Sequence, residues 1–235
     1  MTSALRSVSW RLVALYYGVA LAVALPFNAG WTTAWTRASF PGTPLALWPF
    51  LPAALGPALA AFLARRAFPA PGATMSLFGT SPARSLAVAA VPILAFGALD
   101  TRTGLLAAVA VVYATGEELG WRGLLTDALS PLSFAPKALV TAVLWWSWHC
   151  RFATAFDLLA FPLILVASSF LLGHAARITG SVLVPGAMHA LVTLLSASGP
   201  PSRSRLLAAA ATVAAWAALG QLWPHPRPVP APSPE

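Results

Sequence analysis

The sequence contains little charge and almost no cysteine. Only 9% of its 235 residues are charged, and only six are acidic, whereas about a quarter of an average soluble protein is charged. The single cysteine, Cys150, excludes an internal disulfide and a cysteine-rich metal site. This composition excludes an ordinary soluble domain. Hydrophobic residues make up 58% of the chain, which indicates a membrane protein.

Long apolar runs recur along the whole chain. Since runs of about 17 or more apolar residues cross a bilayer as helices, we predict an all-α, polytopic membrane protein with about eight transmembrane helices. We expect one transmembrane domain over 1–223, with its core motifs in 104–195. The proline-rich tail, 224–235, is predicted to be extended or disordered. The predicted spans lie near 10–27, 44–64, 85–99, 104–125, 138 to beyond 149, 158–174, 181–195 and 206–223.

The basic residues predict partners and topology. A net charge of +8 would suggest nucleic acid in a soluble protein, but here the basic residues fall in loops that face anionic lipid. We therefore expect membrane lipids as partners and no nucleic acid. Arg6 and Arg11 precede an apolar stretch that resembles a signal peptide, but the stretch is long and more spans follow, so we predict an uncleaved first span. The Lys and Arg bias between alternate loops favours both termini in the cytoplasm.

Two adjacent glutamates interrupt the apolar run between Gly104 and Leu125. A carboxylate at the centre of a membrane costs several kcal/mol, so Glu117 and Glu118 demand an explanation. Glu118 and Arg122 are four residues apart and share a helix face, whereas Glu117 is turned about 100° away. We expect Arg122 to neutralise Glu118 and Glu117 to face a site. An interhelical polar clamp remains the alternative.

Two histidines are predicted to lie at the depth of these glutamates. At 1.5 Å per residue, Glu117 lies about 20 Å along its span, and His149 and His189 lie about 18 Å and 14 Å from the opposite face. In a hydrocarbon core about 30 Å thick, the three fall within a few ångströms of one plane. This coincidence predicts one shared site, built on spans four, five and seven.

The glutamate and the two histidines at this depth are compatible with two kinds of chemistry. A glutamate and two histidines can hold zinc with an open coordination position. They can equally activate water without a metal, with Glu117 as the base and the histidines positioning the water and the oxyanion. The sequence has no HExxH-type pair and therefore specifies no metal. We predict no cofactor and leave zinc as the alternative.

Three short motifs resemble those of a known family. The segment 117–122, Glu-Glu-Leu-Gly-Trp-Arg, resembles a Glu-Glu-x-x-x-Arg motif. The segment 145–149 resembles Phe-x-x-x-His, with Trp145 in place of phenylalanine. The segment 189–193 resembles His-x-x-x-Asn, with Thr193 in place of asparagine. Their order, spacing and membrane setting resemble the CAAX prenyl endopeptidase and bacteriocin-processing group of intramembrane proteases, also labelled Abi or CPBP.

The resemblance implies a glutamate-dependent intramembrane endopeptidase of eight spans whose cavity opens to the cytoplasmic side. By position, Glu117 would activate the attacking water with help from His149, and His189 and Thr193 would stabilise the oxyanion. Losing one oxyanion donor costs about 10²–10³ in rate, so threonine in place of asparagine implies a slower protease, an adjusted site or a member that has left catalysis. The supporting residues would be Glu118, Arg122 and Trp145.

The sequence favours a peptidase over two alternatives. The substrate would be a lipidated C-terminus, a leader peptide or a membrane-anchored protein. The first alternative is a non-catalytic scaffold or immunity protein of the same family. The second is an ion-coupled transporter with buried carboxylates, against which the chain shows no internal repeat. The Ala- and Arg-rich composition suggests a bacterial origin, and hence the bacterial cytoplasmic membrane.

Overall fold

A computed structural model describes residues 2–39, 51–68, 74–196 and 201–221. Within these ranges the secondary structure is helical, with one isolated bridge between Ser76 and Ser181 and no strand. The all-α class is therefore confirmed for the described part of the chain. The predicted tail and the start of the second predicted span lie outside the described residues.

Ten helices are described, and two of them are joined to π-helical segments. The π-helical segment Leu119–Leu124 continues α6 into a last turn at Leu125–Ala128, and a second one, Phe156–Ala160, leads into α8. A 3-10 turn at Leu51–Ala54 precedes α4. The helices are α1 (Thr2–Ser7), α2 (Trp10–Asn28), α3 (Thr33–Ser39), α4 (Leu55–Ala67), α5 (Pro82–Gly97), α6 (Thr101–Glu118), α7 (Phe134–Trp148), α8 (Phe161–Thr179), α9 (Leu183–Ser196) and α10 (Arg203–Gln221).

Two of these elements are long and apolar enough to cross a membrane. They are α2 and the continuous element Phe156–Thr179, which includes α8. Helices α5 and α9 are apolar but shorter. The expected count of eight spans stays a prediction.

The fifth predicted span ends earlier than expected. We predicted a helix that continues past His149, but α7 ends at Trp148 and His149 caps it. The N–H groups of His149 and Cys150 turn back to the carbonyls of Trp146 and Ser147, each at 3.2 Å. Cys150 then takes a positive φ of 53°. At the end of a helix this conformation is usually adopted by glycine. No glycine follows Trp148, so the sequence did not predict this helix end. The turn places the His149 ring at the end of α7.

Helix α6 lies between two buried clusters of apolar residues. Its first part packs against α5 and α9 through small side chains, among them Ala107, Ala114 and Ala190. Its π-helical segment packs against α2 and α4, where Trp121 meets Tyr16 edge to face. Small side chains allow helices to approach closely. The two glutamates at the end of α6 therefore lie in the interior of the helical assembly.

A glycine sets the closest approach of α9 to α6. A Cβ atom at Gly186 would come within 2.9 Å of the Cα atom of Thr115, nearer than side chains normally pack. Glycine at this position therefore allows the two backbones to touch. Because His189 lies one turn further along α9, this contact brings its ring to the acidic end of α6.

The far end of the α6 continuation is tied to the start of α9. The buried carboxylate of Asp127 accepts hydrogen bonds from Arg65 at 2.6 Å and from the main-chain N–H of Thr74 at 3.1 Å. Two residues on from Thr74, the carbonyl of Ser76 accepts from the N–H of Val182 at 3.0 Å. This chain of contacts fixes the start of α9, and so the height of the residues that follow.

Asp100 fixes where α6 begins. Its carboxylate accepts hydrogen bonds from the hydroxyl of Thr103 at 2.6 Å and from the main-chain N–H of the same residue at 2.8 Å. These are the bonds of a helix N-cap. They hold the pKa of the exposed Asp100 carboxyl below its ordinary value.

Candidate functional site

Glu118 is fully buried and ion-paired, although its Oε2 accepts no hydrogen bond among the described residues. The Nη1 atom of Arg122 lies 3.0 Å from its Oε1 and 2.9 Å from its Oε2. The Nδ1 atom of His189, from α9, lies 3.1 Å from the same Oε1. Arg122 is anchored in turn by Ser169 of α8, whose Oγ accepts from Nη2 at 3.4 Å. The ion pair that the i, i+4 spacing predicts is present, and it leaves Glu118 neutralised.

Glu117 is equally buried but only partly paired. It is 1% exposed, and its Oε2 accepts a hydrogen bond from the indole N–H of Trp145 at 2.9 Å. Among the described residues, its Oε1 has no hydrogen-bond partner. An unsatisfied buried carboxylate oxygen is uncommon and points either to a bound water or to a function.

The unpaired oxygen belongs to a residue that lines a large cavity. The cavity has a volume of about 1090 Å³ and runs along α8, from Phe161 to Thr179. That helix of 19 residues is about 27 Å long. Glu118 and Arg122 lie behind the cavity wall, with exposures of 0% and 1%. The predicted site residues on the wall are Glu117, Trp145, His149, His189 and Thr193.

Trp145 contacts four of the predicted site residues. Besides its bond to Glu117, its ring lies 4.6 Å from the guanidinium carbon of Arg122. Its carbonyl oxygen is 2.7 Å from Nδ1 of His149. The His189 ring meets the indole edge to face, with centroids 5.0 Å apart. This one side chain therefore sets the relative positions of the carboxylate, the cation and both imidazoles.

The hydrogen bonds of the two histidines define their tautomers. A carbonyl oxygen only accepts hydrogen bonds, so Nδ1 of His149 carries a proton and donates it to Trp145. The carboxylate of Glu118 likewise accepts from Nδ1 of His189. In each neutral ring, Nε2 then carries a lone pair and accepts hydrogen bonds. Each neutral imidazole is thus equipped to take a proton at Nε2 and not to give one.

Thr193 lines the cavity, but its hydroxyl follows its own helix. The Oγ1 atom donates to the carbonyl of His189, four residues earlier, at 3.4 Å. This back-bond is common for threonine in helices. The oxyanion role that the resemblance implies for Thr193 stays a prediction.

Two neighbours of the site, Tyr113 and Ser169, had no predicted role. Tyr113 lies one turn before Glu117 on α6, lines the cavity, and its side chain interacts with the Glu117 carboxylate. The i, i+4 spacing of these two residues was the signal available in the sequence. Ser169, which holds Arg122, gives no such signal because its contact depends on how α8 packs. Among the described residues, no group of three or more His, Cys, Asp or Glu side chains is arranged to hold a metal.

The fold and the site define a helical protein in which apolar helices enclose a buried glutamate–histidine cluster. Residues 99–195, from the turn before α6 to the end of α9, match the family described as type II CAAX prenyl endopeptidase Rce1-like. This match confirms the resemblance read from the motifs over the segment that carries the site, and the matching family is membrane-embedded and typically proteolytic. No curated protein and no solved structure matches the chain.

Proposed function

We propose that the protein is an intramembrane endopeptidase in which Glu117 activates the water that attacks a peptide bond. One observation carries the proposal. Glu117 belongs to the wall of the cavity and its Oε1 has no hydrogen-bond partner among the described residues, while its neighbour Glu118 is ion-paired with Arg122 and hydrogen-bonded to His189. Two adjacent carboxylates in different states of pairing suit two tasks, one as a base and one as a support.

The proposed reaction needs no group beyond the chain and a water molecule. The water donates one hydrogen bond to Oε1 of Glu117 and another to Nε2 of His149. As its oxygen bonds to the peptide carbonyl carbon, Glu117 takes its proton and the carbonyl oxygen gains the negative charge. The C–N bond then breaks, and the proton on Glu117 passes to the leaving amine. Throughout, the N–H of Trp145 holds the other oxygen of Glu117 in place.

The shape of the cavity supports a lipidated or membrane-associated peptide as the substrate. Its wall along α8 is about 27 Å long, close to the thickness of a hydrocarbon core, and most of the α8 residues on it are apolar. We propose membrane lipids as the surrounding partners, no nucleic acid and no metal. We also propose a bacterial cytoplasmic membrane with both termini in the cytoplasm, which reporter fusions at each terminus would test.

The test is proteolysis by purified protein in liposomes against a library of lipidated peptides. Wild type, Glu117→Ala and Thr193→Asn are compared with and without a chelator. We expect cleavage by the wild type that resists the chelator and disappears in Glu117→Ala. Cleavage that the chelator abolishes would replace the glutamate mechanism by a zinc mechanism. Cleavage by Thr193→Asn alone would identify the natural chain as a degenerate member that keeps the catalytic frame.

A non-catalytic scaffold is the second candidate, and one observation favours it. The Thr193 hydroxyl is bonded to its own helix at 3.4 Å, so the residue at the divergent motif position offers no hydrogen to the cavity. In a scaffold the polar cluster would serve only to hold α6, α7 and α9 together. This reading predicts no hydrolysis by any of the three folded proteins, together with a marked loss of thermal stability in Glu117→Ala.

A further inference from the structure

Most hydrogen-bond donors around Glu117 already have an acceptor within the protein. The Trp145 N–H donates to Glu117 itself, and the Thr193 hydroxyl donates to a main-chain carbonyl. His149 and His189 donate through Nδ1 to Trp145 and Glu118, which leaves lone pairs on Nε2 of the neutral rings. A peptidase of the proposed kind needs a donor for the negative charge that develops on the carbonyl oxygen. With both imidazoles neutral, none of these four groups supplies one in its observed arrangement.

Tyr113 carries a further O–H group at this point. Its side chain is 9% exposed, lines the same cavity as Glu117, and interacts with the Glu117 carboxylate from one turn earlier on α6. A phenol O–H both donates and accepts, and it turns freely about a single bond. The side chain therefore interacts with the carboxylate that receives the water's proton.

We infer that Tyr113 is a catalytic residue whose hydroxyl donates a hydrogen bond to the oxyanion, in place of Thr193. The inference rests on the proposed peptidase function. In the resting site the Tyr113 hydroxyl interacts with the negative carboxylate of Glu117. When Glu117 takes the water's proton, that negative charge moves to the carbonyl oxygen of the substrate. The hydroxyl then turns toward the new charge and keeps its own proton throughout.

The same charge movement does not release Thr193. Its acceptor is the main-chain carbonyl of His189, whose charge does not change during the reaction. Only an interaction that strengthens in the transition state accelerates the step. The hydroxyls of Tyr113 and Thr193 therefore differ in what they contribute, and this difference is measurable.

The experiment compares three hydroxyl deletions on the lipidated peptide that the wild type cleaves fastest. They are Tyr113→Phe, Thr193→Val and, as a matched control, Tyr16→Phe. Tyr16 is also a buried tyrosine, but its hydroxyl has no hydrogen-bond partner among the described residues and it lies outside the cavity lining. For each variant we measure kcat, KM, the unfolding temperature and the inhibition constant of a phosphinate analogue of that peptide, whose anionic tetrahedral centre resembles the oxyanion.

We expect kcat to fall by about 10²–10³ in Tyr113→Phe, with KM and the unfolding temperature close to those of the wild type. The phosphinate should lose affinity by a similar factor, which a purely structural role would not produce. Tyr16→Phe should stay within a few-fold of wild-type kcat, and Thr193→Val should lose much less kcat than Tyr113→Phe.

Three results would overturn the inference. A Tyr113→Phe protein that cleaves as fast as an active wild type overturns it and leaves the proposed function standing. If Thr193→Val loses as much activity as is expected of Tyr113→Phe, the oxyanion donor is Thr193. A folded wild type that neither cleaves the library nor binds the phosphinate overturns the proposed function, and this inference with it.

Discussion

Trp145 donates a hydrogen bond of 2.9 Å to Glu117, a residue 28 positions earlier in the chain and on another helix. This bond comes from α7 and holds Oε2, so Oε1 is the oxygen of Glu117 that has no hydrogen-bond partner among the described residues. The same tryptophan stacks on Arg122 and contacts both histidines. The site therefore depends on one aromatic side chain as much as on its charged groups.

Trp145→Phe should keep the fold and weaken the reaction. Phenylalanine retains an aromatic ring beside Arg122 but leaves Oε2 of Glu117 without its donor. A hydrogen bond to a charged group is worth about 1.5–3 kcal/mol, so we expect kcat to fall by about tenfold or more. Steady-state kinetics beside a thermal unfolding scan would measure it. Unchanged kcat in a stable variant would show that the bond does not position the base.

Gly186→Ala should separate α9 from α6. The added methyl group would meet the backbone of Thr115 at 2.9 Å, and overpacking of this kind costs about 1–3 kcal/mol. We expect lower stability and lost activity, because His189 moves away from Glu118. Gly18→Ala is the control, since a Cβ there has no neighbour within 4 Å. If both variants behave alike, the close approach at Gly186 does not position His189.

The Glu118–Arg122 pair should behave as a unit. Arg122→Met leaves a buried carboxylate without its main counter-charge, which typically costs about 3–5 kcal/mol. The double variant Glu118→Gln, Arg122→Met removes both charges, so we expect it to be more stable than Arg122→Met alone. Denaturant unfolding of a double-mutant cycle measures the coupling, with the exposed Arg66→Met as the control. Additive losses would mean that the two charges do not interact.

Asp100 should make the start of α6 sensitive to acid. Because its pKa is lowered in the folded state, its stabilising effect is present above the pKa of the unfolded chain and is lost as the pH falls through the folded pKa. Asp100→Ala should therefore lower the unfolding temperature at neutral pH, by a margin that shrinks in acid. Asp100→Asn, which can cap without charge, is the control. A margin that stays constant with pH would contradict this role.

Relationships within one helix could be predicted from the sequence. The pairing of Glu118 with Arg122 follows from their spacing of four residues. The all-helical class followed from the apolar runs. The number of membrane spans stays a prediction, since within the described part of the chain only α2 and the element that contains α8 meet the length and hydropathy of a span.

Relationships between helices could not be predicted. The hydrogen bond that Arg122 donates to Ser169 depends on how α8 packs. The end of α7 at Trp148 depends on a cysteine with positive φ. The direction of the Thr193 hydroxyl follows from a local choice between its own helix and the cavity. Packing geometry decides these contacts, and the spacing of the motifs does not predict that geometry.

A single turnover in H₂¹⁸O shows whether Glu117 activates a water molecule. The substrate is the peptide that the wild type cleaves fastest, and Glu117→Gln is run beside the wild type. The account predicts ¹⁸O in the new carboxyl group of the product, an unlabelled Glu117 by mass spectrometry, and no cleavage by Glu117→Gln. Label incorporated into Glu117, or cleavage by Glu117→Gln at the wild-type rate, would contradict it.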